Sequence, residues 1–240
     1  MAPYMHEPHS WAYPFCILIV SALTACSDGE PDFYPLDKGR WWYFQTETTI
    51  LDEHRTQRFI VANLGTGEHD DESVFIQRQA SGREVYFKRT RRGIERVGVR
   101  AKIRAPTQEQ SSVLIVPADL ARNGRWKVQT HLTLIESRTF ARQDQLRQRT
   151  LPVELSMAVA ATNVSVRVPA GIFEHCLRID GMGVRFVPTD RGNASAEVLV
   201  THREWYAPEI GLVKSTRSEK SDSPFLKAGY YTQELLQLGR

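Results

Sequence analysis

Cysteine is scarce: Cys16, Cys26 and Cys176 are the three thiols in 240 residues. Three thiols cannot staple a chain of this length, so a hydrophobic core has to hold the fold. Long apolar runs are missing as well. The run at 15–23 (FCILIVSAL) falls well short of the about 20 residues that a membrane-spanning helix needs. Lys and Arg are absent from residues 1–25, where Glu7 is the one acid. The remainder therefore sets 31 basic residues against 27 acidic ones, a balance of +4. So mild an excess gives no reason to expect a nucleic-acid partner. Signatures of common chemistry are lacking too: the chain has no HExxH, no G-x-S-x-G, no P-loop and no G-x-G-x-x-G. Helical periodicity is sparse. Residues 117–122 (PADLAR) suit a turn or two, and 138–149 (RTFARQDQLRQR) suit a helix or a loose connection.

The first 31 residues read as export and anchoring. The run at 15–23 has the length of the apolar segment of a secretory signal. It leads into Leu23-Thr24-Ala25-Cys26, which resembles the lipobox of bacterial lipoproteins: an aliphatic residue, a small one, Ala or Gly, then Cys. The resemblance implies diacylglyceryl transfer to the Cys26 thiol, cleavage between Ala25 and Cys26, and acylation of the new amine. A thiolate is the nucleophile that such a transfer requires. Each buried methylene contributes about 0.8 kcal/mol, so several acyl chains on one residue anchor a protein firmly to a membrane. Ser27, not Asp, follows the Cys. In lipoproteins of enteric type that points to the outer membrane, facing the periplasm. Residues 27–31 (SDGEP) form a polar tether. Translation starts at Met1 or Met5. With Cys26 lipidated, Cys176 stands alone and is expected as a small buried side chain, not a nucleophile.

Past residue 31 the dominant pattern has period two. Val153, Leu155, Met157, Val159 and Ala161 share one strand face; Val164, Val166 and Val168 share a face of the next. Leu177, Ile179, Val184 and Phe186 continue the pattern around Gly181-Met182-Gly183, a glycine pair that marks a bulge or a close backbone approach. Further strands are expected near 40–51, 56–63, 73–79, 84–90, 92–104, 111–116, 125–136, 195–206, 211–218 and 229–238. Gly65-Thr66-Gly67, Ser81-Gly82, Asn123-Gly124 and Pro169-Ala170-Gly171 supply turn chemistry between several of them. Residues 32–240 are therefore expected as one all-β domain with little helix. Its expected form is a strongly curved antiparallel sheet, a half-barrel or open barrel, with a β-sandwich as the alternative.

Three segments carry a family resemblance: FYPLDKGRWWYF (33–44), VRVPAGIFEHCLRIDG (166–181) and WYAPEIGLVKS (205–215). Together they are similar to DUF3108/TapB-type exported proteins, which are compared with the LolA and LolB lipoprotein carriers. The resemblance implies a half-barrel fold of that type and supplies no catalytic residues. It marks Gly171 and Gly211 as turn residues and Trp41, Phe173 and Tyr206 as core fillers.

Candidate chemistry is thin. His69-Asp70-Asp71-Glu72 reads as a solvated acidic hairpin, because neighbouring side chains on a strand diverge too far to share a metal ion. Glu174-His175 and His202/Glu204 are possible acid–base pairs; the second pair shares a strand face, and neither has a recognisable nucleophile beside it. Lys88, Arg89, Arg91, Arg92, Arg96, Arg100, Lys102 and Arg104 surround a single acid, Glu95. By parity Arg96, Arg100, Lys102 and Arg104 form a stripe suited to anionic head groups or an acidic partner. A charged edge strand that repels other edges is the alternative reading. No metal, cofactor or catalytic residue is assigned. A binding module for a lipid or other apolar ligand is expected, with a scaffold docking an envelope partner as the alternative. An enzyme has the least support.

Overall fold

Alternation of apolar and polar residues turns most of the described chain into strand. The computed structural model describes residues 30–51, 53–100, 107–120, 124–137, 151–188, 195–224 and 226–240. The signal segment, Cys26, Lys102, Arg104 and the segment 138–149 lie outside these. In chain order the strands are β1 (Trp41–Ile50), β2 (Glu53–His69), β3 (Glu72–Arg78), β4 (Glu84–Thr90), β5 (Gly93–Arg100), β6 (Thr107–Pro117), β7 (Arg125–His131), β8 (Glu136–Ser137), β9 (Pro152–Val168), β10 (Gly171–Pro188), β11 (Ser195–Ala207), β12 (Gly211–Ser221), β13 (Leu226–Lys227) and β14 (Gly229–Gly239).

Twelve of them form one antiparallel sheet in the order β6-β5-β4-β3-β2-β1-β14-β12-β11-β10-β9-β7; β8 and β13 pair separately. The edges of the sheet are β6 and β7. The Trp126 indole N–H on β7 donates to the Leu114 carbonyl on β6 at 3.0 Å, so the sheet rolls until its edges nearly meet. The result is the open barrel expected from the alternation, and not the β-sandwich.

The faces follow the sequence pattern except beyond the glycine pair of β10, where Val184 and Phe186, expected to continue the face of Leu177 and Ile179, are exposed. Val153, Leu155 and Met157 of β9, Leu177 and Ile179 of β10, and Val198 and Val200 of β11 meet in one core with Phe33 and Leu36. Each such side chain contributes about 1.5–3 kcal/mol when fully buried. A second cluster joins Trp42, Phe44, Val61, Val166, Val168, Cys176, Val213 and Leu235. All three segments of the family resemblance contribute to it, which gives their sequence pattern a packing explanation. Gly171 and Gly211 take the left-handed backbone expected of them, with φ of 139° and 94°. Tyr206 is buried, whereas Trp41 and Phe173 are only partly covered.

Residues 31–40 act as a strap. Asn63 on β2 donates from its amide to the Pro35 and Asp37 carbonyls at 3.0 and 3.2 Å, and itself accepts from the Gln77 amide at 3.1 Å. At the other side the Asp32 amide donates to the Glu209 carboxylate at 2.9 Å, and Arg40 donates to the Glu209 carbonyl. The strap thereby ties β2 to the β11–β12 turn and carries Phe33 and Leu36 into the core. Glu219 makes a second tie. Its fully buried carboxylate accepts from the backbone N–H groups of Thr133, Leu134 and Ile135 and from Arg217 at 2.8 Å, which satisfies the charge with a ring of donors.

Two local expectations are corrected. Gly65-Thr66-Gly67 does not turn; it lies inside β2, where Gly65 sits at a register shift against β3 with φ 102°. The chain reverses instead at Asp70-Asp71, whose φ values of 52° and 60° are those of a tight two-residue hairpin. Asp tolerates that region because its short polar side chain bonds locally. Residues 153–161 and 164–168 are likewise one bent strand, β9, whose register against β10 shifts at three places between Phe173 and Ile179. The glycine pair of β10 marks close approach: a Cβ on Gly183 would run into the Glu154 carbonyl of β9.

Candidate binding cavity

The inward face of β11 changes character along its length. Ala196, Val198 and Val200 are buried aliphatics; the same parity then brings His202, Glu204 and Tyr206 inward. Across the sheet Glu204 faces Ile179 of β10 and Ser215 of β12. The inner wall thus switches from aliphatic to polar at one level of the barrel, and a cavity of about 470 Å³ opens there.

The cavity has two kinds of wall. Trp42, Phe44, Phe59, Val61 and Leu212 line one part; the Phe44 and Phe59 rings lie 5.9 Å apart, and the Trp42 indole N–H is fixed on the Ile210 carbonyl at 2.7 Å. Tyr34, Gln77, Arg96, Glu204, Tyr206 and Tyr231 line the rest. The strap supplies Tyr34, whose ring packs between Phe87 at 5.2 Å and Tyr206 at 6.1 Å. The β3–β4 connection, with Ala80 and the exposed Arg83, borders the cavity on another side.

Glu204 is the centre of the polar part. One carboxylate oxygen meets His202 Nε2 at 3.1 Å and the other accepts from the Tyr206 hydroxyl at 2.9 Å. Burial alone would raise this carboxyl. His202, the Tyr206 hydroxyl and Arg96 outweigh that and hold it below its ordinary value, so the group is an ion. The neighbouring tyrosines move the other way. Burial and the Glu204 charge push the Tyr34 and Tyr206 hydroxyls up, and push Tyr231 up to about 12. At neutral pH all three are hydrogen-bond donors. The Tyr231 hydroxyl donates to the Gln233 side-chain oxygen at 2.7 Å.

The basic stripe expected from parity does not form between its described members. Phe87 of β4 faces Arg96, but Tyr86 already faces Gly98, so Val97 is an extra residue that reverses the alternation. Arg96 consequently lines the cavity, whereas Arg100 lies across from Glu84 on the opposite face and pairs with it. Their neighbours are also paired: Lys88 with Glu72, Arg89 with Asp32 at 2.9 Å and Arg92 with Glu95 at 3.1 Å.

Other singled-out residues fall into place. His69 is not solvated with its acidic neighbours; it is buried against the Tyr86 ring at 4.6 Å. Glu174 and His175 are exposed and each bonds a different residue of β9: Ser165 donates to Glu174 at 3.0 Å, and His175 meets the Asn163 side-chain oxygen at 2.7 Å. Cys176 is fully buried, its thiol donating to the Phe173 carbonyl at 3.4 Å and pushed up to about 11 by burial and by Glu174. A thiol so placed is a poor nucleophile. Only His202 and Glu204 come together as the shared face implies. Sequence reasoning missed Tyr34, Gln77 and Tyr231 altogether, because no local pattern tells a strap or strand tyrosine that it faces a hollow. Among the described residues no group of three or more His, Cys, Asp or Glu side chains is placed to hold a metal ion.

No protein-family model matches the chain, and no curated protein matches it. Two solved structures are similar to it at a low level. One is a presumed exported protein with a YmcC-like fold from Bacteroides fragilis, 14% identical, with a TM-score of 0.40 over 88% of this chain and 100% of that one. The other is a presumed lipoprotein from Parabacteroides distasonis, also 14% identical, with a TM-score of 0.36 over 87% of this chain and 99% of that one. Likeness at this level leaves function to be argued from the residues of the cavity.

Proposed function

We propose that this chain is an exported lipoprotein, anchored through Cys26 in the outer membrane and facing the periplasm, that binds a small amphiphilic molecule inside its barrel without transforming it. One observation carries the reading: the interior is hollow where the wall changes from aromatic to hydrogen-bonding. A cavity of about 470 Å³ is within the range of about 300–1,000 Å³ usual for small-molecule sites, which pair apolar walls with a few placed polar groups. Both Glu204 oxygens already meet partners within the protein, which suits orienting a ligand better than abstracting its proton. The lipobox resemblance at residues 23–26 supports the anchor, and the similarity of the three segments to DUF3108/TapB-type exported proteins supports the location.

The test has two arms. Residues 31–240 form a compact unit by themselves, so a soluble chain of residues 27–240 is a fair object for binding. It should take up the neutral apolar dye Nile red at one saturable site with a blue-shifted emission. Absence of saturable uptake contradicts the ligand reading. In cells, Cys26→Ala should move the protein from the membrane pellet to the soluble fraction; unchanged pelleting contradicts the anchor.

A second reading has its own observation. Met182, Val184 and Phe186 point outward along β10 with 58%, 46% and 59% of their surface exposed, a stripe of the kind that docks a partner. If Nile red uptake is lost in Met182→Ser/Phe186→Ser and kept in a cavity-blocked variant, the outer stripe is the binding surface.

A further inference from the structure

Rings make up most of the apolar surface of the cavity. On one side Phe44 of β1 lies directly across from Phe59 of β2, with centroids 5.9 Å apart and planes tilted by 39°. Trp42, two residues earlier on β1, turns to the same face. Its N–H is engaged by the Ile210 carbonyl at 2.7 Å, so the indole offers the cavity ring carbon and no donor. Tyr34, Tyr206 and Tyr231 bring further rings from the other side. Among the described residues, the larger aliphatic side chains of the lining are Val61, Ile115 and Leu212. The volume of about 470 Å³ lies in the lower half of the range of about 300–1,000 Å³ for small-molecule sites. We infer that the ligand is a compact, planar aromatic molecule with a hydroxyl at one edge, a phenol in the simplest case, and not a long-chain lipid. This rests on the ligand reading above.

Tyr206 is the protein's own example of such a guest. Its ring lies 6.1 Å from that of Tyr34, tilted by 50°, and its hydroxyl donates to Glu204 at 2.9 Å. Glu204 also reaches the cavity, and a carboxylate has about four acceptor positions, of which His202 and Tyr206 each use one. A phenol hydroxyl is a stronger donor to a carboxylate than an alkanol hydroxyl, because its proton is the more acidic. The body of the ligand then meets the Trp42, Phe44 and Phe59 rings. Ring faces are negative and ring edges positive, so tilted and offset pairs attract beyond the area that they bury. A saturated body of equal hydrophobicity gains the burial and forfeits those ring contacts. A flexible chain forfeits them too, and loses torsional freedom on binding besides.

The experiment is competition against Nile red on the soluble chain at neutral pH. The competitors are 2-naphthol, decahydro-2-naphthol and 1-octanol, each with one hydroxyl and of similar hydrophobicity, so ring character and rigidity distinguish them. The aromatic competitor should displace the dye about tenfold more tightly than either of the others, a difference of about 1.4 kcal/mol. Phe59→Leu keeps the wall apolar and removes one ring at a half-buried position; there the preference should shrink to about threefold. The ratio between competitors is read within each protein, so a change in dye affinity does not enter. Equal displacement by all three competitors, or tighter displacement by either saturated one, overturns the ring preference and leaves the ligand site standing. A preference unchanged in Phe59→Leu overturns its assignment to this wall. Absence of saturable Nile red uptake removes the ligand reading itself. Should Phe59→Leu fold poorly, the wild-type ranking alone decides.

Discussion

Glu204 and its tyrosines show how one buried charge sets the properties of its surroundings. Tyr34, Tyr206 and Tyr231 are all raised above the ordinary tyrosine value near 10, by burial and by the Glu204 charge. In the unfolded chain the same hydroxyls ionise near pH 10. Below that pH both states keep these protons, and the hydroxyls contribute fully to stability. Above it the unfolded chain loses protons that the folded chain retains, so stability falls as pH rises. For Tyr231 the fall continues to about 12. Each tyrosine contributes about 1.4 kcal/mol per pH unit in that window. The melting temperature should therefore hold from neutral pH to about 9, where the buried Cys176 thiol begins the fall, and drop steeply above pH 10, with ultraviolet titration showing a class of tyrosines that ionise only on unfolding. A melting temperature that stays flat through that window, with all tyrosines titrating together, would contradict the buried arrangement.

Single extra residues decide the faces of the elements. Strand positions were largely legible, because alternation over Val153–Val159 or Ala196–Val200 is a direct image of one buried face. Bulges were not. The extra Val97 between Arg96 and Gly98 separates two arginines that parity puts together, and nothing in the local composition announces it. The same holds for Gly65, which reads as a turn and serves as a register shift. The His202/Glu204 pair could be seen because it continues an aliphatic face, whereas Tyr34 could not, since a strap has no period. Closure of the sheet is also invisible to local pattern; it depends on Trp126 reaching Leu114. Trp126→Phe keeps an aromatic ring and removes the donor, at a cost of about 1 kcal/mol. Its effect should be local: faster amide exchange across β6 and β7, with β11 unchanged. A uniform change over the whole sheet would show that the seam is not a separate weak point.

For the molecule as a whole, the strap, the two clusters and the hollow belong to one arrangement. The strap enters between β2 and the β11–β12 turn and places Tyr34 against the cavity. The apolar walls that hold the barrel together and the aromatic wall of the cavity share Trp42, Phe44 and Val61. The proposed binding there uses surface that the core does not cover. The most direct test of that claim is native mass spectrometry of the chain of residues 27–240 after export to the periplasm, measured beside Ala80→Trp, which places a large ring at the border of the cavity. The interior site requires a reproducible added mass on the wild type, matching an amphiphile, and a bare mass on Ala80→Trp with its fold intact. The same added mass on both proteins, or none on either, would contradict it.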